Sequence, residues 1–142
     1  MTYSIKHLMY WLLGIALLGS ACERPINIFT VQQDKELGAQ LAQEIENNPQ
    51  EYPILDPAQY PVAYSYMNEM RDDILASQEV KFKDEFEWQL RIINDDNTLN
   101  AFAAPGGYIY IYTGLMKYLD KVDHLAGVLA HEIAHADQRH ST

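Results

Sequence analysis

The sequence predicts an α+β domain ordered as two helices, a small antiparallel sheet and a closing helix. Three observations predict it. Apolar residues first recur three or four apart, at Leu37, Leu41 and Ile45 and then at Tyr60, Tyr64, Met67, Met70 and Ile74, the spacing of one helix face. From Phe86 the period falls to two: Phe86, Trp88, Leu90 and Ile92 alternate with Glu87, Gln89, Arg91 and Ile93, as in a strand with one buried face. Near the C-terminal end Leu125, Val128, Leu129 and Ile133, with Ala126, Ala130 and Ala134 between them, restore the helical period and make a buried helix.

Each element has boundary chemistry to support it. Asp34 is the expected N-cap of a helix over 35–47, which Asn47-Asn48-Pro49 ends. Asp56-Pro57 reads as a cap followed by proline at the first position of a second helix running to Ser77, with Pro61 delaying or kinking its start. After the first strand, Asp95-Asp96-Asn97 is turn chemistry. Leu99 to Ala104 is a second short strand, Pro105-Gly106-Gly107 a turn, and Tyr108 to Tyr112 a third strand closed by Thr113-Gly114. Gly114 to Leu119 makes a short helical turn, and Asp123 caps a last helix over 124–140.

Composition bounds the function. A chain of 142 residues is long enough for one domain at most. Twenty Asp+Glu against ten Lys+Arg give a net charge of −10, which disfavours nucleic acid or an anionic membrane surface as the main partner. Cys22 is the one cysteine, which excludes an internal disulfide. Residues 1–21 begin with a short polar stretch containing Lys6 and His7, continue with the apolar run Leu8 to Leu18, and end on Gly19-Ser20-Ala21. That is the layout of a bacterial secretory signal, and the run is short for a membrane-spanning helix. A cysteine directly after Gly-Ser-Ala resembles the lipobox of bacterial lipoproteins, so Cys22 is the expected lipidation site. Leu18 stands four residues before it, where the usual pattern has leucine three before. An uncleaved signal anchor is the alternative. Residues 22–33 then form a tether, and 34–142 the folded domain.

The last helix carries the chemistry. His131 and His135 are four apart, about 40° around the axis, so two imidazoles can aim at one point. Glu132 lies about 60° beyond His135 on the same side. Two neutral histidines as zinc ligands, with a carboxylate to take a proton from the attacking water, are the layout of a zinc peptidase. By average usage H-E-x-x-H occurs by chance in roughly one chain of this size in a few hundred.

Longer stretches sharpen this reading. Asn100-Ala101-Phe102-Ala103-Ala104-Pro105-Gly106-Gly107-Tyr108-Ile109-Tyr110, then Thr113-Gly114-Leu115, then Leu125 through His135 and Arg139-His140-Ser141 resemble one group of gluzincin metallopeptidases. It includes periplasmic chaperone-proteases, the Oma-type mitochondrial protease, HtpX and the CAAX prenyl protease. The resemblance implies a zincin-like fold and one Zn2+ held by His131 and His135, with Glu132 as general base. It also implies an extended peptide added beside the strand after the PGG turn, which makes Gly107, Tyr108 and Tyr110 the expected substrate-binding residues and that strand a sheet edge, an interior place in the sheet being the alternative. Taken with the lipobox-like stretch before Cys22, the resemblance implies a lipid-anchored endopeptidase of the bacterial envelope, facing the periplasm and acting on misfolded or unassembled proteins.

The family's third ligand is a glutamate on a later helix, and a catalytic zinc needs three protein ligands. His140 is nine residues from His131, about the opposite side of a continuing helix. Gln138 and Ser141 stand where a metzincin would have glycine and histidine. The third ligand is therefore expected beyond Thr142, in a longer protease of which this chain is the N-terminal part or a shortened product. Such a product would bind zinc weakly and cleave little. Arg139 and His140 are expected as helix-end groups facing the C-terminal dipole, and His124 has no assigned role. A non-catalytic, lipid-anchored binding or chaperone-like domain is the alternative function. A membrane protease of the HtpX type would need further apolar spans.

Overall fold

The computed structural model describes residues 28–140. The signal segment, Cys22 and most of the tether lie outside the described residues. The first helix, α1, spans Val31–Glu46 and starts earlier than its apolar spacing suggested. Thr30 caps it: the Thr30 hydroxyl accepts from the Gln33 N–H at 3.1 Å, and the Gln33 side-chain oxygen accepts from the Thr30 N–H at 2.8 Å. This reciprocal box satisfies two amides that a helix start leaves open. Asp34 is consequently not the cap; it sits one turn inside and is 1% exposed. The buried line of α1 is Asp34, Gly38 and Ala42, with Leu37, Leu41 and Ile45 half-buried beside it.

The second helix, α2, spans Pro61–Leu75 and has Pro61 at its first position, where a missing N–H costs nothing. The Asp56 carboxylate instead accepts from the Ala58 N–H at 2.8 Å and closes a turn ahead of the helix. The predicted stripe holds at Tyr64, Met67 and Met70, which are buried, whereas Tyr60 precedes the helix and is 46% exposed.

Three strands follow: β1 (Gln89–Ile93), β2 (Ala101–Ala104) and β3 (Tyr108–Tyr112). Phe86, Trp88, Leu90 and Ile92 are all buried as their alternation predicted, but the strand begins only after Trp88, whose φ is 44°. The spatial order is β1-β3-β2. β2 runs antiparallel to β3, with Ala101 opposite Ile111 and Ala104 opposite Tyr108. β1 runs parallel to β3, from Gln89 opposite Tyr108 to Ile93 opposite Tyr112. The sheet is therefore mixed rather than antiparallel, and β3 is its centre rather than its edge. The cause is two-sided burial. Ile109 and Ile111 enter the core cluster shared with α2 and the last helix, while Tyr108, Tyr110 and Tyr112 enter a second cluster beside α1. A strand apolar on both faces takes the covered position.

The turn Pro105–Gly107 joins β2 to β3, with φ of 75° at Gly106 and 90° at Gly107, values that favour glycine. Helix α1 lies directly on this turn: a Cβ on Gly38 would stand 1.8 Å from the Pro105 carbonyl oxygen. After the short α3 (Thr113–Tyr118), the last helix α4 spans Val122–Asp137. Its N-cap is Lys121 and makes no side-chain cap bond, with Asp123 inside the first turn, so the expected Asp123 cap is not formed. Leu125, Leu129, Ile133 and Ala136 bury one face of α4 against the sheet and α2. No described helix is long and apolar enough to cross a membrane.

Candidate metal centre

The burial of α4 decides where its polar residues go. With Leu125, Leu129 and Ile133 turned to the core, His131 emerges on the exposed side, and Glu132 and His135 are half-buried at the boundary. The helix is thus buried on one face only, and the histidines meet solvent rather than the interior. Their Nε2 atoms stand 2.9 Å apart, and the rings meet edge to face with centroids 4.4 Å apart. Tetrahedral zinc with bonds of about 2.0–2.1 Å holds two nitrogens about 3.4 Å apart. A small opening of the pair therefore seats the ion, and the neutral nitrogen donors suit it. These two side chains fit their share of a zinc site. Among the described residues no set of three or more His, Cys, Asp or Glu side chains is arranged to hold a metal.

His131 and Glu132 line a groove of about 600 Å³ whose other residues include Leu99, Asn100, Ala101, Leu115 and Leu119. The groove runs beside β2, the strand on which α4 chiefly packs. Tyr112 N–H bonds to the Asn100 carbonyl at 3.1 Å, so by antiparallel alternation Phe102 and Ala104 also bond inward to β3. The backbone groups of Ala101 and Ala103 then point away from β3. Among the described residues, the backbone left without a strand partner beside the histidines is that of β2. Gly107, Tyr108 and Tyr110, by contrast, are buried, with Tyr110 at 0% exposure and its hydroxyl without a hydrogen-bond partner among the described residues. Burial pushes the Tyr110 phenol up to about 12 and raises those of Tyr108 and Tyr112 as well.

Two anchors that the sequence did not reveal fix the end of α4. The buried Asp137 carboxylate accepts from the backbone N–H groups of Lys81 and Phe82, each at 2.8 Å. Arg139 donates to the Asp34 carboxylate and to the Phe29 carbonyl, with its guanidinium 5.9 Å from the centre of the Phe82 ring. Arg139 has φ 57°. Its N–H bonds to the Ala136 carbonyl at 3.0 Å and that of His140 to the His135 carbonyl at 3.1 Å, the pair of bonds of a Schellman ending, in which glycine is the usual reversing residue. The chain turns back at Arg139. His140 therefore does not continue to the far side of the helix, as an uninterrupted pitch implied; its Nδ1 lies 2.9 Å from Nδ1 of His135.

The second half of the chain resembles a family of known peptidases. The model of Peptidase family M48 matches residues 65–142. The mitochondrial metalloendopeptidase OMA1 of Schizosaccharomyces pombe is 44% identical over 57 residues, 40% of this chain and 17% of that protein. A putative beta-barrel assembly-enhancing protease of Vibrio cholerae is 33% identical over 112 residues, 78% of this chain and 21% of its own. The beta-barrel assembly-enhancing protease of Escherichia coli is 47% identical over 49 residues, 34% and 10% respectively. The chain thus spans about a fifth or less of the length of these curated relatives. The family match takes in more than half of the chain, with His131, Glu132 and His135 inside it, and the chain belongs to peptidase family M48.

Proposed function

We propose that this chain supplies the catalytic helix and substrate edge of a zinc-dependent endopeptidase of the bacterial cell envelope, acting on misfolded or unassembled proteins in extended form. The observation that carries the reading is the convergence of two Nε2 atoms at the rim of a groove bordered by an open strand edge. His131 and His135 would hold the ion, which when bound polarises the scissile carbonyl and lowers the pKa of water. Glu132, on the same groove, takes the proton from the attacking water and returns it to the leaving amine. A peptide aligned on the Ala101 and Ala103 backbone presents its amides to that carboxylate with little demand on side-chain identity. Tether and location follow from Cys22: acylation there would hold the domain at a membrane facing the periplasm. A catalytic zinc requires a third donor, and a glutamate carboxylate would suit that place.

The test is hydrolysis of an unfolded protein by the whole gene product. Activity abolished by a chelator, restored by Zn2+, and lost in Glu132→Gln while zinc stays bound supports the reading. Hydrolysis unchanged in Glu132→Gln refutes it. A second reading, peptide capture without hydrolysis, draws on the lack of a third donor among the described residues; it predicts zinc-independent binding of extended peptides and no cleavage.

A further inference from the structure

We infer that His140 is a positioning residue for His135, fixing by a hydrogen bond which of its ring nitrogens is free for the metal. The inference rests on the zinc reading above. Nδ1 and Nε2 lie on opposite sides of an imidazole, so His135 can engage one partner on each. On its Nε2 side it faces His131, and on its Nδ1 side it faces His140 at 2.9 Å. A neutral histidine that ligates through Nε2 must carry its proton on Nδ1, and a fixed acceptor there selects that tautomer and holds the ring plane. Nδ1 of His140 is that acceptor, with its own proton on Nε2. The rings stand 5.1 Å apart and 67° to one another.

The backbone explains why His140 is available. A continuing helix would carry residue 140 away from residue 135; the reversal at Arg139 brings it back, and the buried Asp34 carboxylate, with the Phe29 carbonyl, holds Arg139 in place. A contact 105 residues apart in the chain thereby sets the orientation of a ligand.

The experiment is Zn2+ binding to the 142-residue chain by competition with a chromophoric chelator, in wild type, His140→Leu, His140→Asn and His131→Ala. The expected result is a 10- to 100-fold (order-of-magnitude) weakening in His140→Leu, the usual cost of losing such a partner. His140→Asn, whose Oδ1 accepts from about the same place as Nδ1, keeps affinity within about threefold of wild type. Equal affinity of His140→Leu and wild type overturns the inference. So does His140→Asn binding as weakly as His140→Leu, which would make His140 a ligand itself. The His131→Ala arm separates the two levels: zinc bound as tightly there as in wild type removes the metal site, and this inference with it.

Discussion

The contact between Asp34 and Arg139 makes a quantitative prediction. Asp34 is 1% exposed and the Arg139 side chain 13%, so the pair is withdrawn from water. Removing one partner of such a pair leaves a charge without compensation and costs about 3–5 kcal/mol, a large part of the roughly 5–15 kcal/mol by which a domain is stable. Asp34→Ala is expected to lose up to that amount, since Arg139 keeps the Phe29 carbonyl and the Phe82 ring. Arg139→Gly is expected to lose less, about 2–4 kcal/mol, because glycine is released from the roughly 1–2 kcal/mol that a side chain costs at φ 57°. The double variant buries no unpaired charge and should be several kcal/mol more stable than the sum of the single losses implies. Urea unfolding followed by tryptophan fluorescence, with Trp88 buried at 4% exposure, gives all four corners of the cycle. Single losses below about 1 kcal/mol that simply add would place the pair among surface ion pairs of negligible worth, and the account of how α4 ends would be wrong.

Other expectations follow from single contacts. Gly38→Ala puts a methyl 1.8 Å from the Pro105 oxygen and 2.9 Å from Tyr108 Cδ2, so α1 must lift from the turn; a loss of about 1–3 kcal/mol or more is expected in the same unfolding assay, and an unchanged midpoint would contradict the packing. Tyr110→Phe removes a buried hydroxyl without a hydrogen-bond partner among the described residues, so stability should hold or rise by about 1 kcal/mol. Tyr110 has a folded pKa raised from 10.0 to about 12. Its contribution is complete below pH 10 and is lost as the unfolded phenol ionises first. Wild type should therefore weaken between about pH 10 and 12 more than Tyr110→Phe does, and parallel pH curves would dispose of the claim. Chelation should leave the far-ultraviolet circular dichroism unchanged, because the core face of α4 is Leu125, Leu129, Ile133 and Ala136 and needs no ion. Unfolding on chelation would mean that zinc is structural.

The helices, β3 and the approach of His131 to His135 on one helix were legible because period and spacing are local properties. What escaped is what depends on distant partners. Asp34 looks like a cap from its neighbours; only Arg139 at the other end of the chain makes it a buried anion. His140 was placed by helical pitch, which fails where an arginine takes the left-handed ending that glycine normally marks. The alternation of Tyr108 to Tyr112 suits an edge or a centre equally, since tyrosine can face solvent or core. The choice fell to β1, which pairs in parallel with β3 and leaves β2, its neighbour in sequence, on the outside.

The two borders of the sheet are not equivalent. Along β1, Leu55 N–H bonds to the Ile92 carbonyl and Asn94 N–H to the Pro53 carbonyl, at 2.9 and 2.7 Å, and Ile54 bridges Ile93, so that flank is hemmed by the chain itself. Among the described residues the β2 flank carries no such cover, so on the proposed function a guest peptide and a neighbouring molecule would contend there for the same few amides. If the proposed peptide binding holds, self-association in concentrated solutions should compete with it, and dilution should relieve the competition.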